Sequence, residues 1–197
     1  MGNQGSSHDV EHVVLKSQLH KPVVLTSDSF IEKEPLFLRM QDGHTFVDRN
    51  GKVQFRLRHA PDSSVWCHHV ECVDGQGYVV ANQKSGVVYS GKHCDEVTAT
   101  FKTHSITGTT HVHLRGGNHL VVHVRGPRAA LFMDDGGHQS CIGVCQVRQR
   151  WSVTLSPGVD VTLGVFVLKW LRDILYSYWG HGRQYESGSV NVRLIVA

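Results

Sequence analysis

The chain has 197 residues, of which 40% are hydrophobic and 19% charged, and its formal net charge is +3. This composition suits one sizeable domain with a packed core and excludes general disorder. The mild positive charge permits contact with anionic lipid or nucleic acid without arguing for either.

The chain opens Met1-Gly2-Asn3-Gln4-Gly5-Ser6-Ser7, which fits the N-myristoylation pattern M-G-x-x-x-[ST]. Gly2 is the expected acceptor, because the chemistry needs a bare glycine amine with small or polar neighbours. One myristoyl chain holds a protein to a membrane only marginally and reversibly. A second signal is not evident nearby: the first cysteine is Cys67, and Lys16 stands against Asp9 and Glu11. Residues 1–20 are polar and histidine-rich and are expected to form a tail. No basic segment followed by an apolar run marks a secretory signal. His8-Asp9-Val10-Glu11-His12 matches the H-x-x-E-H peptidase signature, but in a tail it lacks the helix and further ligand that zinc chemistry needs.

From Pro22 onward the pattern becomes alternation of period two, the mark of half-buried strands. Val53, Phe55 and Leu57 fall on one face and Gln54, Arg56 and Arg58 on the other. Val97, Ala99 and Phe101 alternate in the same way, as do Val112 with Leu114, then Leu120, Val122 and Val124, and finally Trp151, Val153 and Leu155. Asp48-Arg49-Asn50-Gly51, Asp74-Gly75-Gln76-Gly77 and Gly116-Gly117-Asn118 supply hairpin turns between them. The spacing predicts roughly ten to twelve short strands in a barrel or sandwich.

Residues 156–180, SPGVDVTLGVFVLKWLRDILYSYWG, stand apart as an apolar helix over about 157–179. Ser156 is the expected N-cap, Pro157 suits the first turn, and Asp160 suits the positive end of the helix dipole. The uncharged run ends at Leu168, short of the roughly twenty apolar residues that span a bilayer. Lys169, Arg172, Asp173 and Tyr176 form one polar stripe. A helix that is apolar all round at its start and wet on one side at its end belongs inside a protein. An all-β chain with one such helix points to a closed barrel threaded by it, and closure also removes exposed sheet edges.

In DGHTFVDRNGKVQFRLRH at 42–59, VDGQGYVVANQK at 73–84, and above all WSVTLSPGVDVTLGVFVLKWLRDI at 151–174, the chain resembles the LURP-one-related family. The family's strand, P-G-V-D and apolar helix have their counterpart in the Trp151–Leu155 run, Pro157-Gly158-Val159-Asp160 and the apolar stretch from Val161. The resemblance covers about residues 20–180. It implies the tubby C-terminal-like fold, mainly β: a twelve-stranded closed β-barrel enclosing a C-terminal hydrophobic α-helix. The wider superfamily includes phosphoinositide-binding tubby proteins and phospholipid scramblases, and LURP-one-related proteins are linked to plant defence. It supplies no catalytic residue set, no cofactor and no lipid-binding residues that map onto this chain. Residues 181–197 depart from the pattern as an extension ending in VNVRLIVA, which reads as an added strand.

The chain has fifteen histidines. His111, His113, His119 and His123 are the weak metal candidates; an outward polar face is the expectation for them. Cys67-His68-His69 with Cys72, and Cys141 with Cys145 on one strand face, lack zinc-ribbon spacing and read as reduced, buried thiols. Arg56, Arg58, Arg115, Arg125 and Arg128 are the lipid-headgroup candidates, since guanidinium suits phosphate. The expected function is a non-enzymatic binding module on the cytosolic face of a membrane, the plasma membrane for preference. It would be held by myristate and by acidic phospholipid or a protein partner, without nucleic acid and without a cofactor. The alternatives are a soluble scaffold or regulator that binds protein or nucleic acid, and a histidine-based metal protein. Mass spectrometry of the N-terminal peptide from eukaryotic cells is expected to show one myristoyl group on Gly2 that is absent from Gly2→Ala.

Overall fold

The computed structural model describes residues 13–17, 19, 21–63, 69–104, 109–135, 138–147 and 150–179. Gly2, the 8–12 motif, Cys67, His68 and the 181–197 extension lie outside them. After a short 3-10 turn at Asp28–Phe30 come β1 (Leu36–Met40), β2 (Thr45–Val47), β3 (Val53–His59) and β4 (His69–Asp74). Next in the chain are β5 (Val79–Lys84), β6 (Val87–Ser90), β7 (Val97–Thr103), β8 (Thr110–Leu114) and β9 (His119–Arg125). The series ends with β10 (Arg128–Asp135), β11 (His138–Gln146), β12 (Ser152–Leu155) and the helix α1 (Val161–Trp179).

Every strand pairs antiparallel with its neighbours in sequence, and β1 pairs with β12 to close a twelve-stranded barrel. The turns therefore alternate between two ends. At one end, Asp48 and Asp74 open matching hairpins: Asp48 Oδ1 accepts from Asn50 N and Lys52 N, and Asp74 Oδ1 accepts from Gln76 N and Tyr78 N. Each turn finishes on a glycine of positive φ, Gly51 and Gly77, which is why the Asp-x-x-Gly pattern occurs twice.

α1 enters the barrel at this same end. Leu163, Val165, Phe166, Val167, Leu168 and Leu171 are buried among inward side chains of the strands, such as Leu38, Phe55, Val112, Leu131 and Leu155. Gly164 lets the helix approach β12, since a Cβ there would sit 3.0 Å from both Leu155 Cδ1 and Val153 Cγ1. Each fully buried Leu or Phe contributes about 1.5–3 kcal/mol, so the plug is a large part of the core.

The helix starts four residues later than its sequence suggests. Gly158 has φ +85, which no α-helix accommodates, so Ser156–Val159 form a turn. The Ser156 hydroxyl, expected as the N-cap, is buried with no hydrogen-bond partner among the described residues. Asp160 caps instead: Oδ1 accepts from Thr162 N at 2.9 Å and Thr162 Oγ1 at 2.6 Å. Its Oδ2 accepts from Leu25 N at 2.9 Å, Thr26 N at 2.7 Å, Thr26 Oγ1 at 3.2 Å and Ser27 N at 3.3 Å. Backbone bonds from Asp160 N to Val23 O and from Val23 N to Gly158 O complete the join. Residues 23–27 thus strap across the helix entrance.

Bulges overturn two facing assignments. Val88 pairs with Ala99 and Tyr89 with Val97, so Thr98 is an extra residue in β7. The phase shifts there, leaving Val97 46% exposed while Thr98 is buried. Leu131 pairs with Gly143 but Phe132 with Cys141, so Ile142 is the extra residue in β11. Cys141 and Cys145 consequently face opposite ways, Cys145 into the core and Cys141 outward against Ala130 and Phe132. Val124 keeps the inward register that alternation predicts, opposite buried Ala129, and is 38% exposed near the end of β9. Of the segment expected as a tail, Val13 and Leu15 pack over Cys141, and Lys16 N donates to Cys141 O.

Asp160→Ala leaves the amides of Leu25, Thr26 and Thr162 without acceptors, at about 1–3 kcal/mol for each donor left buried and unpaired. Urea unfolding is expected to show a loss of about 3 kcal/mol or more, with earlier proteolysis around residues 23–27. Unchanged stability would remove Asp160 from this role.

Candidate functional site at the open end of the barrel

At the far end α1 emerges with its polar stripe leading. Lys169 Nζ donates to Asp173 Oδ2 at 2.5 Å, an i, i+4 pair in the less favoured order with the base before the acid. Arg172 Nη1 donates to the Gly43 carbonyl in the β1–β2 loop, and Nη2 lies 3.4 Å from Asp173 Oδ1. Trp170 Nε1 donates to Thr103 Oγ1 at 3.1 Å while its ring meets Phe101 at 5.6 Å. These bonds fix the helix end against the rim on two sides.

Two clefts flank the fixed helix end. The larger, about 840 Å³, is lined by Arg39, Asp42, His44, Arg150, Trp151 and Tyr176 among others. Trp151 and Tyr176 stack at 6.4 Å, and Tyr176 is 63% exposed. Arg39 and Arg150 are exposed and meet no carboxylate among the described residues. Asp42 does not cancel them, because it is turned to its own loop and accepts from His44 N, Thr45 N and Thr45 Oγ1. Those bonds, the His44 amide first, hold its carboxyl below the usual carboxylate range. The smaller cleft, about 550 Å³, lies between the helix and β3–β5, with Leu57, Val70, Gln83, Lys169 and Trp170 in its wall.

The arginines singled out from sequence do not gather into one patch. Arg56 and Arg58 lie on β3 and Arg115 directly after β8, and those strands stand five places apart around the ring. Arg58 is bound to Glu71 at 2.6 Å, and Arg115 pairs with Glu96. Arg125 and Arg128 face each other across the β9–β10 hairpin. The useful cations, Arg39 and Arg150, sit on loop-proximal positions whose neighbours only the closure of β1 onto β12 supplies. Gln83 was legible in principle, as a polar residue in the inward phase of Ala81 on β5.

Three of the four histidine candidates come together on the outer face. His111 Nδ1 lies 3.0 Å from His119 Nε2, and His113 stacks on His119 at 4.7 Å. Burial, and then the neighbouring imidazoles, push the His111 pKa down. His123 stands apart against Phe132. Among the described residues no three His, Cys, Asp or Glu side chains converge as a ligand set.

A second polar cluster escaped the sequence reading. His69 is buried on the outer face of β4, with Nδ1 2.5 Å from Asp62 Oδ1 and Nε2 3.2 Å from Asn82 Oδ1. Asn82 Nδ2 donates to the Gly91 carbonyl at 2.5 Å, which brings the 91–96 loop over the strands. Cys94 of that loop places its Sγ 3.6 Å from His69 Nε2. Consecutive strands and loops make this cluster through their register, so no single local motif announced it.

Burial pushes Cys141 up to about 11, and burial, followed by charge repulsion from Cys141 across the strand, pushes Cys145 up to about 12. Cys72 is raised further, by burial first and then by Asp160 and Asp74. Cys94 is also raised, by desolvation first, yet it is exposed. Among these four thiols iodoacetamide at mildly alkaline pH is expected to label Cys94 alone until denaturant is added, as peptide mapping would report. Labelling of Cys72 or Cys145 in the native protein would contradict their placement.

No protein-family profile matches the sequence, and no curated protein does. An X-ray structure of a protein from Arabidopsis thaliana is similar in fold, with a TM-score of 0.63 at 18% identity. The match covers 77% of this chain and 98% of that one. At such identity the likeness is one of fold alone; the twelve-stranded closed barrel with its enclosed helix is the architecture expected from the sequence.

Proposed function

We propose that the chain is a LURP-one-related, non-enzymatic binding module that attaches peripherally to the cytosolic face of a membrane. Its open barrel end meets acidic phospholipid. The observation that carries this reading is the grouping of Arg39, Arg150 and Arg172 with Trp151 and Tyr176 around the emerging helix. Cations beside amphipathic aromatic rings suit the layer where anionic headgroups adjoin acyl chains. The Gly2 acylation pattern supports the same reading, since one acyl chain needs a second, weaker contact. No described helix is long and apolar enough to cross a membrane.

Co-sedimentation with phosphatidylcholine vesicles, with and without phosphatidylserine, tests the proposal on the non-acylated protein. Binding is expected only with phosphatidylserine and is expected to weaken with salt. Each basic residue near such a surface is worth about 1 kcal/mol, so Arg39→Gln with Arg150→Gln should lower partitioning roughly thirtyfold. Equal partitioning onto both vesicles, or no response to the double substitution, would overturn the assignment of this end.

A further inference from the structure

Gln83 projects from β5 into the barrel and is 3% exposed, yet neither Oε1 nor Nε2 has a hydrogen-bond partner among the described residues. Buried amides are nearly always paired, and leaving one unpaired is costly. The amide lines the cleft of about 550 Å³ between the helix and β3–β5. That is far more than the roughly 30 Å³ share of a single water and lies within the usual range of small-molecule sites, for which a barrel mouth is a favoured place.

The rest of the wall indicates what the cleft would hold. Leu57, Val70 and Trp170 are apolar. Lys169 is 8% exposed and has three ammonium protons, of which the structure assigns one, to Asp173. Asp173 balances that charge, and Arg172 on the same rim restores a positive sign. The site thus offers a buried amide and a nearly buried ammonium with donors to spare, beside an apolar surface.

We propose that this cleft binds a small amphiphilic monoanion, a carboxylate or comparable single acidic head on an apolar body. The head accepts from Gln83 Nε2 and Lys169 Nζ, and the body lies against Leu57, Val70 and Trp170. Gln83 Oε1 accepts from a hydroxyl of the ligand or from a water carried in with it. A cation is disfavoured by Lys169 and Arg172. His44, Arg58 and His59 also line the cleft, with Arg58 already held by Glu71.

The test uses the full, delipidated, non-acylated chain in solution without vesicles, so this proposal and the membrane reading can fail separately. The probe is 1-anilinonaphthalene-8-sulfonate, an apolar body with one anionic head, followed by its fluorescence. Saturable binding at one site is expected, displaced by octanoate and roughly tenfold or more less well by octanol. Gln83→Met and Lys169→Met should each weaken the dye roughly tenfold or more. Thermal melts establish that both variants are folded; Gln83→Met, which removes the unpaired amide, is expected to melt no lower than the parent. Absence of saturable binding, indifference to both substitutions, or failure of octanoate to compete would each overturn the proposal; the first of these would mean that the cleft holds water alone.

Discussion

A carboxylate with no exposed surface holds the closed end of this barrel together. Isolated in an apolar interior, the charge of Asp160 would be prohibitively expensive. It is tolerable because four donors converge on Oδ2 and two on Oδ1. The donors come from two segments more than 130 residues apart in sequence. The same group therefore starts the helix, orients its axis into the barrel and ties the segment before the first strand across the entrance. Without the strap, the first turn of α1 and its orphan amides would stand in an open mouth. The Gly158 turn makes this possible by ending the chain's extended path one step before the cap.

The two ends of the barrel differ in a physically consistent way. At the helix entrance the Asp160 carboxylate is answered from within the fold, while the buried Ser156 hydroxyl has no partner among the described residues. At the exit the barrel contains a helix too polar to fill it. Lys169, Arg172 and Asp173 replace the leucines and valines of the first turns, and the space they leave becomes two clefts. The end that packs least well is therefore the end where stacked aromatic rings are found, with arginines and an amide that lack partners among the described residues. Groups that the fold does not satisfy internally are the ones left to meet something else.

Much of the architecture was legible because it depends on local periodicity. Alternation located the strands, Asp-x-x-Gly located two hairpins, and the density of apolar residues at 161–168 marked a helix surrounded by protein. Local rules failed where one residue breaks the phase. Thr98 and Ile142 are bulges, and each turns the rest of its strand to the other face, so that Cys141 and Cys145 part company. The helix start was misplaced because Ser156 and Pro157 satisfy the sequence preferences of a cap and first turn, while the left-handed Gly158 after them vetoes a helix.

The sequence alone determined the fold class, since a two-residue period closed by turn residues and interrupted by one apolar helix has few packed solutions. It also determined the chemistry available at each position. Only the tertiary structure decided which of those groups meet. Arg56, Arg115 and Arg125 are alike in sequence and are separated by barrel closure, whereas Arg39, Arg150 and Arg172 come together from three distant segments. His69 finds Asp62, Asn82 and Cys94 by the same means. The physical reason is that meeting depends on the register and bulges of each strand pair and on the one long-range pair, β1 with β12, that closes the ring, and no local pattern encodes either.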